Sequence, residues 1–97
     1  MNAKDVSVIY KYELDHRNHG QRFAHDVPEG ASFVSVGLDL CGRVCVWLKC
    51  NPEAKKTVRL FLVVFTGAPF CGSNPVVLGT VAVPMDAVIV HVFEEFV

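Results

Sequence analysis

Alternation of apolar and polar side chains at every second position is the feature that most limits what this chain can fold into. Between residues 6 and 14 the even positions are apolar, and the odd ones are polar except at Ile9. A period of two is typical of a strand with one buried face, and no stretch shows the period of an amphipathic helix. With turn-forming glycine and proline between the apolar runs, the sequence predicts seven strands: residues 6–14, 21–27, 33–40, 43–50, 57–66, 76–83 and 87–93.

Short connections join these segments, whereas parallel neighbours would need longer crossovers. We therefore expect an all-β fold of about seven antiparallel strands, in a small sandwich or partly closed barrel, with little or no helix. At 97 residues, the chain is expected to form a single β domain over residues 1–97. Residues 57–66 are apolar on both faces and predict a central strand, and the mostly polar residues 21–27 predict an edge strand. Glu94 and Glu95 should point apart and keep an exposed C-terminal edge soluble.

The turn between the third and fourth predicted strands sets the expected pairing of that hairpin. Residues 41–42 fit a two-residue hairpin loop. This loop would place Leu38 opposite Cys45 and Val36 opposite Trp47, with all four side chains on one face. A slip of one residue would reverse that assignment, because successive strand residues point to opposite faces.

Charge and hydropathy exclude several classes of protein. The net charge of −1 argues against a general nucleic-acid binder, which needs a basic surface. The longest apolar run, residues 60–65, is far shorter than the ~20 residues that span a bilayer. Residues 1–5 lack the apolar region of a signal peptide. We therefore expect a cytoplasmic protein with no membrane partner, for which a nucleic-acid partner is disfavoured, and whose four cysteines are thiols.

Residue types that carry chemistry are present but poorly arranged. Four cysteines and four histidines invite a zinc site, yet Cys45 and Cys50 would point to opposite faces of one strand. A Cys71–His91 pair lacks any helix N-terminus or nucleophile-elbow pattern that would lower the pKa of the thiol. We predict no metal ligands, no catalytic residues and no cofactor, and hence a protein that is not an enzyme.

Loops on a rigid scaffold are the usual place for binding residues. Two loops therefore supply candidate partner-binding residues: Asp15, His16, Arg17 and Asn18 in the first, and Ala68, Phe70, Cys71 and Asn74 in the second. In the alternative interpretation, a barrel-like interior or a dimer cleft holds a nucleotide or another small ligand. Its polar contacts would be Arg43, Arg59 and His91.

Six short segments resemble, in the same order, the pattern of one protein family: IYKYEL at 9–14, VPEGA at 27–31, CVWL at 45–48, TGAP at 66–69, LGT at 78–80 and HVFE at 91–94. This is a family of small uncharacterised bacteriophage and prophage proteins, a domain of unknown function with the pattern IYKYxL, MPxGA, CLW, GTGHP, YIGT and HVFE. The family's GTGHP histidine is Ala68 here and its opening glycine is Phe65. No role of that histidine can therefore be carried over, and the resemblance implies an origin and a fold rather than a mechanism.

Together these observations predict a non-catalytic, phage-type accessory protein that binds a host bacterial protein and inhibits or redirects it. Counter-defence, including CRISPR inhibition, is one version of this function in the host cytosol. A small-ligand or nucleotide-sequestering domain and a minor virion component stay open as alternatives. The 52% hydrophobic content and the uncovered strand edges also predict a homodimer.

Overall fold

The structure, a computed structural model, describes residues 6–72 and 75–96. It contains seven strands: β1 (Val8–Glu13), β2 (Arg22–Pro28), β3 (Ser32–Leu38), β4 (Val44–Cys50), β5 (Lys56–Phe65), β6 (Pro75–Val83) and β7 (Val88–Glu95). Two single 3-10 turns, His16–Asn18 and Pro84–Asp86, are the only helical structure in these residues. Neither turn has the length or the hydropathy to cross a membrane.

The strands form two sheets that pack face to face. One sheet has three strands in the order β1-β4-β3, and the other has four in the order β2-β5-β7-β6. Every hydrogen-bonded pair of strands is antiparallel. The predicted all-β, sandwich-like fold is therefore confirmed. Since β5 and β6 are both antiparallel to β7, they run in the same direction, and the connection between them has to cross β7.

The core lies between the two sheets and is built from alternate strand positions. In β4 the side chains of Val44, Val46 and Leu48 are completely buried, and in β5 those of Phe61 and Val63 are too. Alternation places these residues on the inner face of each sheet, where burial stabilises each by roughly 1.5–3 kcal/mol. The period of two in the sequence therefore marks the faces that meet.

The hairpin between β3 and β4 has a different register from the one the sequence predicted. Leu38 lies opposite Val44, and Val36 lies opposite Val46. The predicted partners, Cys45 and Trp47, are each one residue further along β4. The prediction is wrong by one residue, and these two side chains point to the outer face, away from the core.

The physical reason is a loop of three residues, 40–42, instead of two. The carboxylate of Asp39 accepts hydrogen bonds from the backbone N–H groups of Cys41 and Arg43, both at 2.9 Å. A three-residue loop needs one residue in the left-handed conformation, which favours glycine. Gly42 supplies it with a φ of 78°. Asp39 therefore sets the register of the hairpin.

Strand order confirms two sequence predictions and corrects a third. As expected, β5 is an interior strand and β2 is an edge strand. The expectation that Glu94 and Glu95 solubilise an exposed edge is wrong, because β7 lies between β5 and β6. Both carboxylates are almost completely buried, at 3% and 8% exposure. They point to opposite faces, as predicted, and pair with Arg59 and Arg22, respectively.

The two long sides of the sandwich differ in how closely the sheets approach. On one side β3 meets β6, where a Cβ added to Gly79 would stand 2.5 Å from Cγ2 of Val36. On the other side β1 lies over β2, and the rings of Tyr12 and His25 are 5.3 Å apart. The sheets do not join into a closed barrel, since no strand of one sheet is hydrogen-bonded to a strand of the other within the described residues.

Candidate functional site

Three connections meet at one end of the sandwich, which we call the loop end. They are the 3-10 turn His16–Asn18, the loop at residues 40–42 and the 3-10 turn Pro84–Asp86. A pocket of about 280 Å³ lies between them. Its wall carries six ionisable nitrogen and oxygen side chains: Glu13, Asp15, His16, Arg17, Arg43 and Asp86.

Asp15 and Arg17 form a local clamp at the start of the first 3-10 turn. The carboxylate of Asp15 accepts a hydrogen bond from the backbone N–H of Arg17 at 3.0 Å, which caps the turn. It also accepts hydrogen bonds from Nε and Nη2 of Arg17, both at 2.9 Å. These contacts hold the pKa of Asp15 below its ordinary value. The guanidinium is thereby oriented at the surface, where the side chain remains 76% exposed.

His16 connects the two 3-10 turns. It is 9% exposed, and its Nε2 hydrogen-bonds a carboxylate oxygen of Asp86, 70 positions away in the sequence. A buried polar ring needs such a partner, because an unsatisfied donor would cost about 1–3 kcal/mol. The contact fixes the turns relative to each other. Sequence reasoning missed Asp86, for which the only signal was an acidic residue in the turn that follows Pro84.

The remaining charged groups near this end also have partners within the chain. Nη1 of Arg43 donates to Glu13 at 3.1 Å, and Nζ of Lys11 donates to Asp39 at 2.9 Å. Hydrogen bonds from the backbone N–H of Arg43 and from Lys11 lower the pKa of Asp39 to about 2. The pocket wall is thus a set of pre-oriented ion pairs rather than a concentration of one charge.

Two apolar side chains project from the loop end. Leu40 is fully exposed at the tip of its loop, and Met85 is 88% exposed. The Met85 sulfur lies 3.8 Å from the position that a Cβ on Gly42 would take, so Met85 rests against the loop that carries Leu40. The predicted strand at 33–40 is two residues too long, because β3 ends at Leu38, and no sequence pattern indicates Met85 as a site residue.

Cys41, His16 and Asp86 all line the pocket, and these residue types occur in cysteine-nucleophile sites. As for metal binding, no three His, Cys, Asp or Glu side chains among residues 6–72 and 75–96 converge as metal ligands would. Nε2 of His16 is engaged by Asp86. The pocket and its rim also offer groups that can bind a partner: guanidinium donors, carboxylate acceptors and apolar side chains.

The second predicted loop lies elsewhere, on the outer face of the four-stranded sheet. The connection from β5 to β6 crosses that face, with the ring of Phe70 5.1 Å from that of Phe93. Further along, the guanidinium of Arg22 donates to the backbone carbonyl of Cys71. Leu62 points to this same face and is nevertheless completely buried. Phe70 and Cys71 therefore cover this face of the sheet and do not line the pocket at the loop end.

The predicted partner-binding residues consequently fall into two places. Asp15, His16 and Arg17 line the pocket, while Asn18 completes their turn without lining it. Ala68 is partly buried at the start of the crossing connection, whereas Phe70 and Cys71 are exposed. Asn74 lies outside the residues that the structure describes.

The three residues of the alternative ligand site are not brought together. Arg43 lines the pocket at the loop end. Arg59 lies between the sheets in an ion pair. His91 lies on the outer face of the four-stranded sheet, where its ring nitrogens contact Oγ1 of Thr66 at 2.7 Å and Oγ1 of Thr80 at 3.0 Å. Only Arg43 could therefore contact a ligand in this pocket.

Comparison with known proteins gives one finding. The model of a family described as "Domain of unknown function (DUF7352)" matches residues 6–96. No curated protein and no solved structure matches the chain. Because the family description names neither an activity nor a ligand, the function has to be argued from the geometry of the molecule.

Proposed function

Because the chain belongs to the DUF7352 family, whose description assigns no activity, we propose its function from the loop end. The protein is a non-catalytic binding protein that docks its loop end onto a partner protein. The observation that carries this proposal is the pair of projecting apolar side chains, Leu40 and Met85, at the rim of a polar pocket.

This arrangement has the composition of a protein-binding surface. Such interfaces combine an apolar centre with a polar rim, and Met and Arg are enriched in them. Leu40 and Met85 would supply the centre. Arg17 and Arg43, whose side chains are 76% and 56% exposed, would supply the rim. Because each arginine is already held by a carboxylate of this chain, binding would immobilise few additional side chains.

We further propose that the partner is a bacterial protein that is inhibited or redirected when its surface is occupied. The resemblance of the sequence to small bacteriophage and prophage proteins supports this source for the partner. Counter-defence, for example CRISPR inhibition, is one form that such binding would take in the bacterial cytosol. The partner should present an apolar pocket bordered by polar groups that fits Leu40 and Met85.

The test is a comparative capture from bacterial lysate with purified, tagged protein. The baits are the wild type, Leu40→Glu, Met85→Glu and the matched control Ile89→Glu. Ile89 is 50% exposed but lies on the outer face of the four-stranded sheet, outside the pocket. We expect one protein to be retained by the wild type and the control and lost with both loop-end variants. Retention that is equal for all four baits would refute the proposal.

The pocket itself favours a second candidate function, the sequestration of a small ligand. Its volume of about 280 Å³ is near the lower limit of ordinary ligand sites, and Arg17 and Arg43 could bind an anionic group. Native mass spectrometry of freshly purified protein distinguishes the two functions. A bound small molecule that is lost in Arg43→Ala supports sequestration, and a bare polypeptide argues against it.

A further inference from the structure

The end of the sandwich opposite the loop end is open. We call it the open end; it comprises the starts of β1, β3, β5 and β6 and the ends of β2, β4 and β7. Tyr10, Phe33 and Val76 point to the inner faces of the sheets here, yet they are 36%, 43% and 47% exposed. Inner-face residues closer to the loop end, such as Val46 and Val92, are completely buried. Within the described residues the core is therefore less covered along the edge strands β1, β3 and β6 at the open end, whereas the ends of β2 and β4 there are buried.

Exposed apolar side chains are concentrated at this open end. Six more large ones lie near it: Val6, Val34 and Phe96, and also Ile9, Val58 and Val77, which point to the outer faces of the two sheets. In the part of the chain that the structure describes, only four other large apolar residues are exposed: Leu40, Phe70, Met85 and Ile89. The distribution is thus strongly one-sided, and scattered exposure of single apolar residues does not explain it.

The apolar area at the open end approaches what a stable dimer requires. A half-exposed valine or aromatic side chain leaves about 70–100 Å² accessible, so the six that do not point to an outer face together offer roughly 500 Å². Each partner in a complex of standard size buries about 800 Å², polar rim included. An apolar surface of this size is near the upper end of the range for the largest patch on a typical monomer, and this chain is small.

Six exposed charged residues at the open end are balanced in sign and occur in no ion pair within the described residues, unlike the buried and paired Glu94 and Glu95 at the end of β7. Three are cationic, namely Lys49, Lys55 and Lys56, and three are anionic, namely Asp26, Glu29 and Glu53. None of the six occurs in an ion pair of residues 6–72 or 75–96. At the loop end, by contrast, Arg17 and Arg43 are both paired. Equal numbers of the two signs allow a surface to pair with a rotated copy of itself.

We propose that two copies of this chain associate through their open ends about a twofold axis. A twofold axis brings the same surface of each copy together, so the apolar residues of one copy cover those of the other. The lysines of each copy then face the carboxylates of its partner. The two loop ends point away from each other, and each remains available for binding. This inference does not depend on the proposed function.

The test is the molar mass in solution, measured by sedimentation equilibrium from low micromolar to several hundred micromolar protein. The wild type should approach twice the chain mass of 10.7 kDa. Phe33→Glu and Val76→Glu should each weaken the dimer at least tenfold, since each places a charge in the apolar contact. Leu40→Glu and Ile89→Glu are the controls and should leave the mass unchanged. Circular dichroism verifies that each variant is folded.

A single-chain mass for the wild type over the whole concentration range would overturn the proposal. So would a dimer that Leu40→Glu dissociates and Val76→Glu, folded, does not. The same control separates this proposal from the proposed function, because Leu40→Glu should lose the partner protein and still dimerise.

A charge-reversal pair tests the orientation of the two copies. Two double variants reverse the charges: Lys55→Glu/Lys56→Glu and Glu29→Lys/Glu53→Lys. A self-dimer of either variant brings like charges together, so each variant alone should dimerise more weakly than the wild type. Mixed in equal amounts, they should form a mixed dimer, because each supplies the charges that the other needs. A mixture that contains no more dimer than its components would contradict the twofold arrangement.

Discussion

Arg59 and Glu94 form a two-point ion pair between the sheets, with Nε 2.5 Å from Oε2 and Nη2 2.7 Å from Oε1. Their side chains are only 18% and 4% exposed. Nη1 of Arg59 also donates to the backbone carbonyl of Ala31 at 2.7 Å, which ties β5 and β7 to the turn between β2 and β3. The buried charges of Arg59 and Glu94 on the inner face of the four-stranded sheet therefore neutralise each other.

The first prediction concerns this pair. Arg59→Met should lower the free energy of unfolding by about 3 kcal/mol, because it leaves the Glu94 carboxylate buried without its cation. The double variant Arg59→Met/Glu94→Leu should recover most of that loss, since two apolar side chains leave no isolated charge. Urea denaturation measures both values. A double variant as unstable as Arg59→Met would show that the isolated charge is not the cause.

The strands and their inner faces could be predicted from the sequence because alternation is a local property, although Tyr10 on the inner face of β1 is 36% exposed. The even positions from Val6 to Leu14 and the doubly apolar run at 57–66 contain that information within a few residues. The burial of Glu94 and Glu95 could not be predicted, because it depends on Arg59 and Arg22, which lie on other strands of the sheet. Strand order is a property of the whole fold, and single-strand patterns do not encode it.

The second prediction concerns the close approach of the two sheets at Gly79. A Cβ there would stand 2.5 Å from Cγ2 of Val36, so Gly79→Ala should force β6 and β3 apart and destabilise the fold by about 1–3 kcal/mol. Val36→Ala in the same chain removes the clash and should reduce that loss. Gly37→Ala is the control, since its nearest neighbour, Cζ3 of Trp47, is at an ordinary 3.8 Å. Equal destabilisation by the two glycine replacements in thermal unfolding would be inconsistent with this packing.

The third prediction is a pH dependence centred on Asp39. Hydrogen bonds lower its pKa in the folded protein to about 2 from an ordinary 3.8, so the folded state binds its proton less readily than the unfolded state. The resulting stabilisation is present above about pH 4 and is lost as the pH falls towards 2. Asp39→Asn should unfold a few degrees below the wild type at neutral pH, and the difference should shrink towards pH 2. Midpoints that stay equally separated from pH 7 to pH 2 would rule this out.

The fourth prediction concerns thiol reactivity. Cys41 and Cys71 are exposed, whereas Cys45 and Cys50 are buried. Burial, followed by the nearby Asp39 charge, raises the pKa of Cys45 to about 11, so its thiolate is scarce at neutral pH. An aromatic disulfide reagent should titrate two thiols in the folded protein and four after denaturation. Cys41→Ser should reduce the first number to one, and fast reaction of all four thiols would contradict the buried positions.

The candidate site was only partly predictable for a related reason. Asp15 and Arg17 were identified because they lie in one polar loop, and Arg43 because it is a cation at a turn. Their convergence with Asp86 requires a contact across 70 positions, which no local pattern specifies. The sequence predicts a strand at Leu40 because a two-residue loop at 41–42 fits it equally well, whereas the loop has three residues, 40–42. The capping role of Asp39 that lengthens the loop is visible only in the structure.

The measurement that tests the central claim most directly is the dissociation constant for the captured partner protein, determined by calorimetry with purified components. Leu40→Glu and Met85→Glu should each weaken binding at least tenfold, because each places a charge at the centre of the contact. Ile89→Glu should bind as tightly as the wild type. If both loop-end variants bind with wild-type affinity, the loop end is not the binding surface.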